Sequence, residues 1–194
     1  DTKYENDIKW TEIIREAVSK QNIVPYYQPI VDKDENIIKY ESLMRLIDKD
    51  GKVISPFFFL DISKKAKFYT IMMKMMIEQT FKVIKETKND ITINLSIQDI
   101  YNKQMVDYIK TQLFELKIAN NVIFEITESE SINDYDKVYQ FITEVKKLGC
   151  RIAIDDFGSG YSNFSYISKL QPDFLKIDGS LIKDIHKDEN LLII

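Results

Sequence analysis

Residues 152–162 read Ile-Ala-Ile-Asp-Asp-Phe-Gly-Ser-Gly-Tyr-Ser. An apolar run stops at two adjacent carboxylates, Asp155 and Asp156, and a glycine-containing loop follows. At an effective dielectric near 20, two like unit charges about 4 Å apart cost roughly 4 kcal/mol. A pair of this kind at the end of a buried segment calls for a compensating cation. Three other apolar segments also end in, or carry, an oxygen donor of a type that suits a metal. Oxygen-only donor sets suit hard cations such as Mg²⁺ and Mn²⁺. Lys176, in Leu-Lys-Ile-Asp, is the basic residue on the same kind of segment.

The elements that must position these residues follow from periodicity. Asp7 to Lys20 reads as a helix with an apolar stripe of Ile8, Ile13, Ile14, Ala17 and Val18. Val24–Val31 and Ile37–Leu46 read as strands joined by a turn at Asp34-Glu35-Asn36. Ser55-Pro56 is an N-cap and N1 pair opening the Phe-rich stretch 57–62. Phe68 to Thr87 is a long helix whose methionines fill core gaps. Then strand and helix alternate: Ile91–Ser96, helix Ile100–Leu116, Val122–Thr127, helix Tyr135–Leu148 closed by Gly149. Arg151–Asp155, a short helix near Asn163–Lys169, Phe174–Asp178 and an apolar run Leu191–Ile194 complete the series. Repeated strand–helix units imply a parallel sheet with helical crossovers. Period-2 counting groups Glu41, Leu43 and Arg45; Thr92, Asn94 and Ser96; Glu125 and Thr127; Ala153 and Asp155; and Lys176 and Asp178. Such polar faces converge at the carboxyl ends of the strands, where barrels of parallel strands build their sites.

The 194 residues are 44% hydrophobic and 30% charged, enough for one domain with its own core. A net charge of −4 argues against binding to polymeric nucleic acid, which wants a basic face. No run of 18 uncharged apolar residues suggests a membrane span, and the charged N-terminal segment is not a signal peptide. The single cysteine, Cys150, fits a reducing, cytoplasmic setting and reads as a small buried hydrophobe. The lone histidine, His186, sits among charges and reads as solvated, which leaves no histidine-based chemistry.

Taken in order, these segments resemble the EAL family of bacterial cyclic di-GMP phosphodiesterases. The resemblance rests on Tyr27-Gln28-Pro29-Ile30-Val31, Glu41-Ser42-Leu43 with Arg45, Asn94-Leu95-Ser96, Glu125-Ile126-Thr127-Glu128, and Asp155-Asp156-Phe157-Gly158 with Gly160 and Ser162. Pro172-Asp173 and Leu175-Lys176-Ile177-Asp178 complete it. It implies an α/β fold, a TIM-like (β/α) barrel, and metal-dependent opening of cyclic di-GMP to linear pGpG with two divalent cations, Mg²⁺ or Mn²⁺. By resemblance, Glu41, Asn94, Glu125 and Asp155 hold one metal, and Asp155 bridges to a second held by Asp156. Lys176 orients or deprotonates the attacking water. Gln28, Leu43 and Arg45 contact the nucleotide. Glu128, Gly158, Ser159 and Gly160 support the loop and a homodimer. A lysine desolvated among carboxylates and cations can act as a base, whereas a plain ion pair with a neighbouring aspartate is its structural alternative. For Arg45 the alternative is a structural salt bridge.

Two departures qualify the expectation. Ser42 replaces the family's alanine, but it lies opposite Glu41 in the period-2 count and faces helices. The family's later Glu-Gly-Val-Glu and Gln-Gly motifs do not occur, so the barrel is expected to be incomplete at the C-terminus. About six of eight strand units are present, in a domain 1–194 with an N-terminal helix over 1–20. On that count the chain is a truncated part of a larger multidomain signalling protein, impaired in hydrolysis. The alternative is a non-catalytic module that binds cyclic di-GMP or a partner.

Overall fold

The computed structural model of the chain describes residues 2–127, 134–158 and 168–183. Glu128, Ser159, Gly160, His186, the Leu191–Ile194 run and nearly all of the helix expected near 163–169 lie outside the described residues. The chain forms two compact units, 1–91 and 92–194.

The first unit is built on an antiparallel hairpin. Strands β1 (Ile23–Val31) and β2 (Ile37–Ile47) pair with Gln28 opposite Glu41, Tyr26 opposite Leu43 and Val24 opposite Arg45. The turn between them is held by Asp32, whose Oδ1 accepts the Asp34 and Asn36 backbone N–H groups at 2.8 and 3.0 Å. Glu35 takes the left-handed conformation there, at φ 64°. Ser42, Met44 and Leu46 are buried while Glu41, Leu43 and Arg45 are half-buried, as alternation requires. The buried face packs on helix α3 (Tyr69–Thr87). Ser42 Oγ and Thr80 Oγ1 of α3 share a hydrogen bond of 2.9 Å, and Gln79 Nε2 donates to the Ile23 carbonyl at 2.7 Å. Met72, Met73 and Met76 are core residues of α3, with exposures of 6% or less. Ser42 therefore faces the helix, as its parity demands.

Helix α1 spans Thr2–Ser19 and starts earlier than periodicity suggests. Ile14 and Ala17 are buried, but Ile8 is 45% exposed, so the stripe is shorter than expected. A two-residue strand, β3 (Val53–Ile54), extends β2, with Leu46 opposite Ile54. It is too short to give a periodic signal. Pro56–Phe58 forms a 3₁₀ turn with Pro at its start, followed by α2 (Leu60–Lys65). Of the three phenylalanines in 57–59, Phe59 is fully buried and Phe57 is 89% exposed.

The second unit carries the strand–helix alternation. Strands β4 (Ile91–Leu95), β5 (Val122–Thr127), β6 (Arg151–Phe157) and β7 (Phe174–Ile177) lie side by side in chain order. The pairs β5–β6 and β6–β7 are parallel. The expected helix over 100–116 is two helices, α4 (Ile97–Tyr101) and α5 (Lys103–Leu116). Asn102 breaks them: its backbone is extended, and its Oδ1 accepts the Met105 N–H at 3.2 Å as an N-cap. Ser96 and Asp99 close a capping box ahead of α4. Helix α6 (Tyr135–Leu148) ends at Gly149 with φ 111°. A β-carbon there would stand 2.2 Å from Asn120 Oδ1, so both conformation and space demand glycine. Ile123, Phe124, Ile126, Ile152 and Ile154 form the sheet's core, while Leu175 and Ile177 on β7 remain 47% and 56% exposed.

Candidate active site

Register places the polar residues of the second unit on one face. Glu125 lies opposite Ala153, Thr127 opposite Asp155, and Ile154 opposite Leu175. Glu125, Asp155 and Lys176 therefore share a face, two residues out of step between β5 and β6. The Lys176 side chain closes that gap. Its Nζ donates to Glu125 Oε1 at 2.6 Å and stands 3.3 Å from Asp155 Oδ1. Glu125 is 1% exposed, whereas Asp155 and Lys176 keep 25% and 30% side-chain exposure. With Glu125 desolvated, loss of its ammonium partner would leave an uncompensated buried charge.

Asp156 is placed by backbone strain. The β6–β7 register shifts between Ile154 and Phe157, and within that irregularity Asp156 takes a left-handed φ of 56°. Aspartate tolerates this better than most residues, at a cost of about 1–2 kcal/mol. An alternating strand sends consecutive side chains to opposite faces; the left-handed residue breaks that alternation and lets Asp156 interact with its neighbour's charge. Burial first, then the charges of Asp155 and Asp178, hold the Asp156 carboxyl above the ordinary range, and Lys176 opposes them. Gly158, at φ 89°, continues the turn. Asp178 itself is held low by hydrogen bonds from Ser180, whose backbone N–H donates to its Oδ1 at 2.7 Å.

Asp173 sets the register that delivers Lys176. Its N–H donates to the Ile152 carbonyl and its Oδ2 accepts the Ile152 N–H, both at 2.8 Å. Lys146 of α6 donates to the same Oδ2 at 3.0 Å and to the Gln171 carbonyl at 2.7 Å. Asp173 and Asp178 act in positioning the cluster, although neither stands out in the sequence as a functional residue. Their signals were the Pro172-Asp173 pair and the parity that Asp178 shares with Lys176.

Asn94 occupies β4 on the face opposite the buried Ile93 and Leu95, and is half-buried. In the first unit, Gln28 and Glu41 are cross-strand neighbours on the outer face of the hairpin, Gln28 exposed and Glu41 half-buried, with half-buried Leu43 on the same face. Arg45 Nη1 donates to the Met44 carbonyl at 2.7 Å, and its guanidinium lies 5.9 Å from the Tyr26 ring centroid. It is thus held by backbone and ring.

The donor set around Lys176 is oxygen-only, which fits a hard divalent cation in kind. Among the described residues no three Asp, Glu, His or Cys side chains form a ready coordination cage. The ammonium of Lys176 supplies the compensating charge in this arrangement. Cys150 takes no part: it is buried, and burial pushes its thiol up to about 12, with Arg151 acting in the opposite sense.

Parallel strands alternating with helices, with a carboxylate–lysine cluster on their shared polar face, define an α/β domain of the barrel-enzyme type. The sequence matches the EAL domain family over residues 11–194, and the chain belongs to that family. It is 30% identical over 193 residues to the cyclic di-GMP phosphodiesterase PdeB of Shewanella oneidensis, covering 95% of this chain and 22% of that protein. Among solved structures, an EAL domain protein from Listeria monocytogenes superposes with a TM-score of 0.83 at 26% identity, over 94% of this chain and 74% of that one. The PaMucR phosphodiesterase in complex with c-di-GMP superposes at 0.84 and 24% identity, over 95% of this chain and 78% of that one. The fold is accordingly the TIM-like (β/α) barrel, which the described strands do not close. The chain spans 22–36% of the length of the relatives it matches. No helix among the described residues is long and apolar enough to cross a membrane.

Proposed function

We propose that this domain hydrolyses cyclic di-GMP to linear pGpG, as one module of a longer signalling protein. The observation that carries the reading is the Glu125–Lys176–Asp155 bridge across three strands on one face of the sheet. The similarity to proteins named cyclic di-GMP phosphodiesterases gives it its substrate.

In this reading Asn94, Glu125, Asp155 and Asp156 are oxygen ligands for two divalent cations, and Glu41 joins them by its place in the Glu-Ser-Leu motif. These residues would hold Mg²⁺ or Mn²⁺, which would supply electrostatic stabilisation of the oxygens that gain charge in a phosphodiester displacement. The chain's own residues do the rest. Lys176, already among carboxylates, positions the attacking water and manages its proton through Nζ. The left-handed turn at Asp156 keeps two consecutive carboxylates within interacting distance. Exposed Gln28 with half-buried Leu43 and Arg45 presents a strip of mixed polarity that suits a nucleotide, with the guanidinium a ready partner for phosphate.

The test is turnover of cyclic di-GMP by purified protein with Mg²⁺ or Mn²⁺, read as pGpG by chromatography. Hydrolysis abolished by Glu125→Gln and by Lys176→Met supports the reading. A folded protein that binds cyclic di-GMP by calorimetry yet yields no pGpG with either metal would overturn catalysis and leave a binding module.

A further inference from the structure

A cavity of about 440 Å³ opens in the first unit, between helix α1 and the turn joining β2 to β3. Its size falls within the range of small-molecule sites. None of its lining belongs to the residues discussed above as an active site. The buried lining is apolar: Ala17 is 2% exposed and Ile54 8%, and the Trp10 ring lines the same space. The exposed lining is largely lysine.

Charge bookkeeping gives the site its sign. Glu16 is engaged by Lys20 at 2.6 Å. Asp48 is engaged by its own turn, its Oδ1 accepting the Asp50 and Lys52 backbone N–H groups, each at 2.9 Å. Among the described residues Lys9, Lys49 and Lys52 make no ion pair; the Asp48 and Asp50 carboxylates stand against them, Asp48 with its Oδ1 already taken by backbone N–H groups, so the lining keeps a single net positive charge. Three uncommitted ammonium groups over an apolar floor run against the chain's net charge of −4. Lysine stems cover apolar surface while their heads reach water, so the rim can close on a ligand without first breaking a salt bridge. Trp10 is itself fixed by stacking on Phe58, with centroids 6.3 Å apart and planes at 14°.

From this geometry we propose that the cavity is a binding site for a small organic anion with a planar ring, the ring lying against Trp10, Ala17 and Ile54 and the anionic group held by Lys9, Lys49 and Lys52. The inference does not rest on the proposed hydrolysis, since it uses other residues.

Trp10 is the chain's only tryptophan, so its fluorescence reports on this cavity. The experiment titrates the protein in EDTA with phenyl phosphate, with inorganic phosphate and benzyl alcohol as the two half-ligands. A saturable change in Trp10 emission with phenyl phosphate, absent with either half, is the expected result. The double variant Lys9→Gln/Lys52→Gln should weaken binding at least tenfold, and Lys33→Gln, in the distant β1–β2 turn, should leave it unchanged. Circular dichroism confirms that each variant is folded. The site is refuted by a flat titration, by an equal response to phosphate alone, or by affinity that survives loss of both lysines.

Discussion

Replacing Lys176 by methionine isolates the interaction on which the proposed site depends. The substitution keeps most of the stem and removes an ammonium 2.6 Å from a carboxylate that is 1% exposed. Breaking a buried pair by deleting one partner costs about 3–5 kcal/mol. Lys176 keeps 30% exposure, so the lower end, about 3 kcal/mol, is the working figure. With a urea m-value of about 1–3 kcal/mol/M, that lowers the midpoint by about 1–3 M. The assay is urea unfolding followed by far-ultraviolet circular dichroism in EDTA, so that no metal takes over the lysine's role. Glu125→Gln in the same background removes the buried charge and should recover most of the loss. The double-mutant cycle then gives a coupling of about 2–3 kcal/mol, as expected for contacting residues. If Lys176→Met unfolds at the parental midpoint, or if Glu125→Gln adds a second loss instead of a recovery, the two groups do not compensate each other and the reasoning fails.

Two further outcomes follow from the same structure. Cys150 is buried and its thiol is pushed up to about 12, so it should resist a disulfide reagent such as DTNB at pH 8 in the folded protein. It should react at once in urea, and rapid labelling of the native state would contradict its placement. Glu144 is held below its ordinary value of 4.5, first by the hydrogen bond from Lys110 and then by that from Gln140. A carboxylate depressed in the folded state contributes stability above its unfolded pKa and loses it as pH falls through the folded value. Lys110→Met should therefore cost about 0.5–1 kcal/mol at pH 7, the scale of a part-exposed pair. The difference from the parent should shrink as pH drops below 4.5; a gap that stays constant with pH would show that the lysine acts through packing.

Strand existence and facing were legible because alternation is a backbone property. The pairing of buried Ser42, Met44 and Leu46 against half-buried Glu41, Leu43 and Arg45 needs only the pleat and one apolar helix to lie on. The same parity brought Lys176 to Glu125 and Asp155, although no local feature of Leu175-Lys176-Ile177 specifies that contact. Helix boundaries were less legible. The run from Ile100 to Leu116 looks continuous, since Asn102 is tolerated within helices. The break comes from the competition its short amide offers, capping Met105 more favourably than extending α4. Strand β3 was hidden for a different reason: two residues carry no period, and their pairing with Leu46 and Ile47 is a tertiary fact.

What the sequence could not show is how consecutive aspartates act together. In a regular strand Asp155 and Asp156 diverge, and their repulsion fades with the extra separation. The irregularity between Ile154 and Phe157, with Asp156 at φ 56°, defeats that relief. Asp156 is left feeling Asp155 and Asp178 as well as Lys176, and its carboxyl is raised in consequence. Strain and repulsion at one residue are both unfavourable to folding, and they persist only where the surrounding structure over-determines them. Here that structure is the clamp Asp173 makes on Ile152, which fixes β7 beside β6, together with the Asp178 N–H donated to the Phe157 carbonyl at 3.1 Å. The two sides of the turn are thus pinned independently of the charges between them. The position of both carboxylates is set by backbone hydrogen bonds on either side of the turn, and the repulsion between them is borne by the fold.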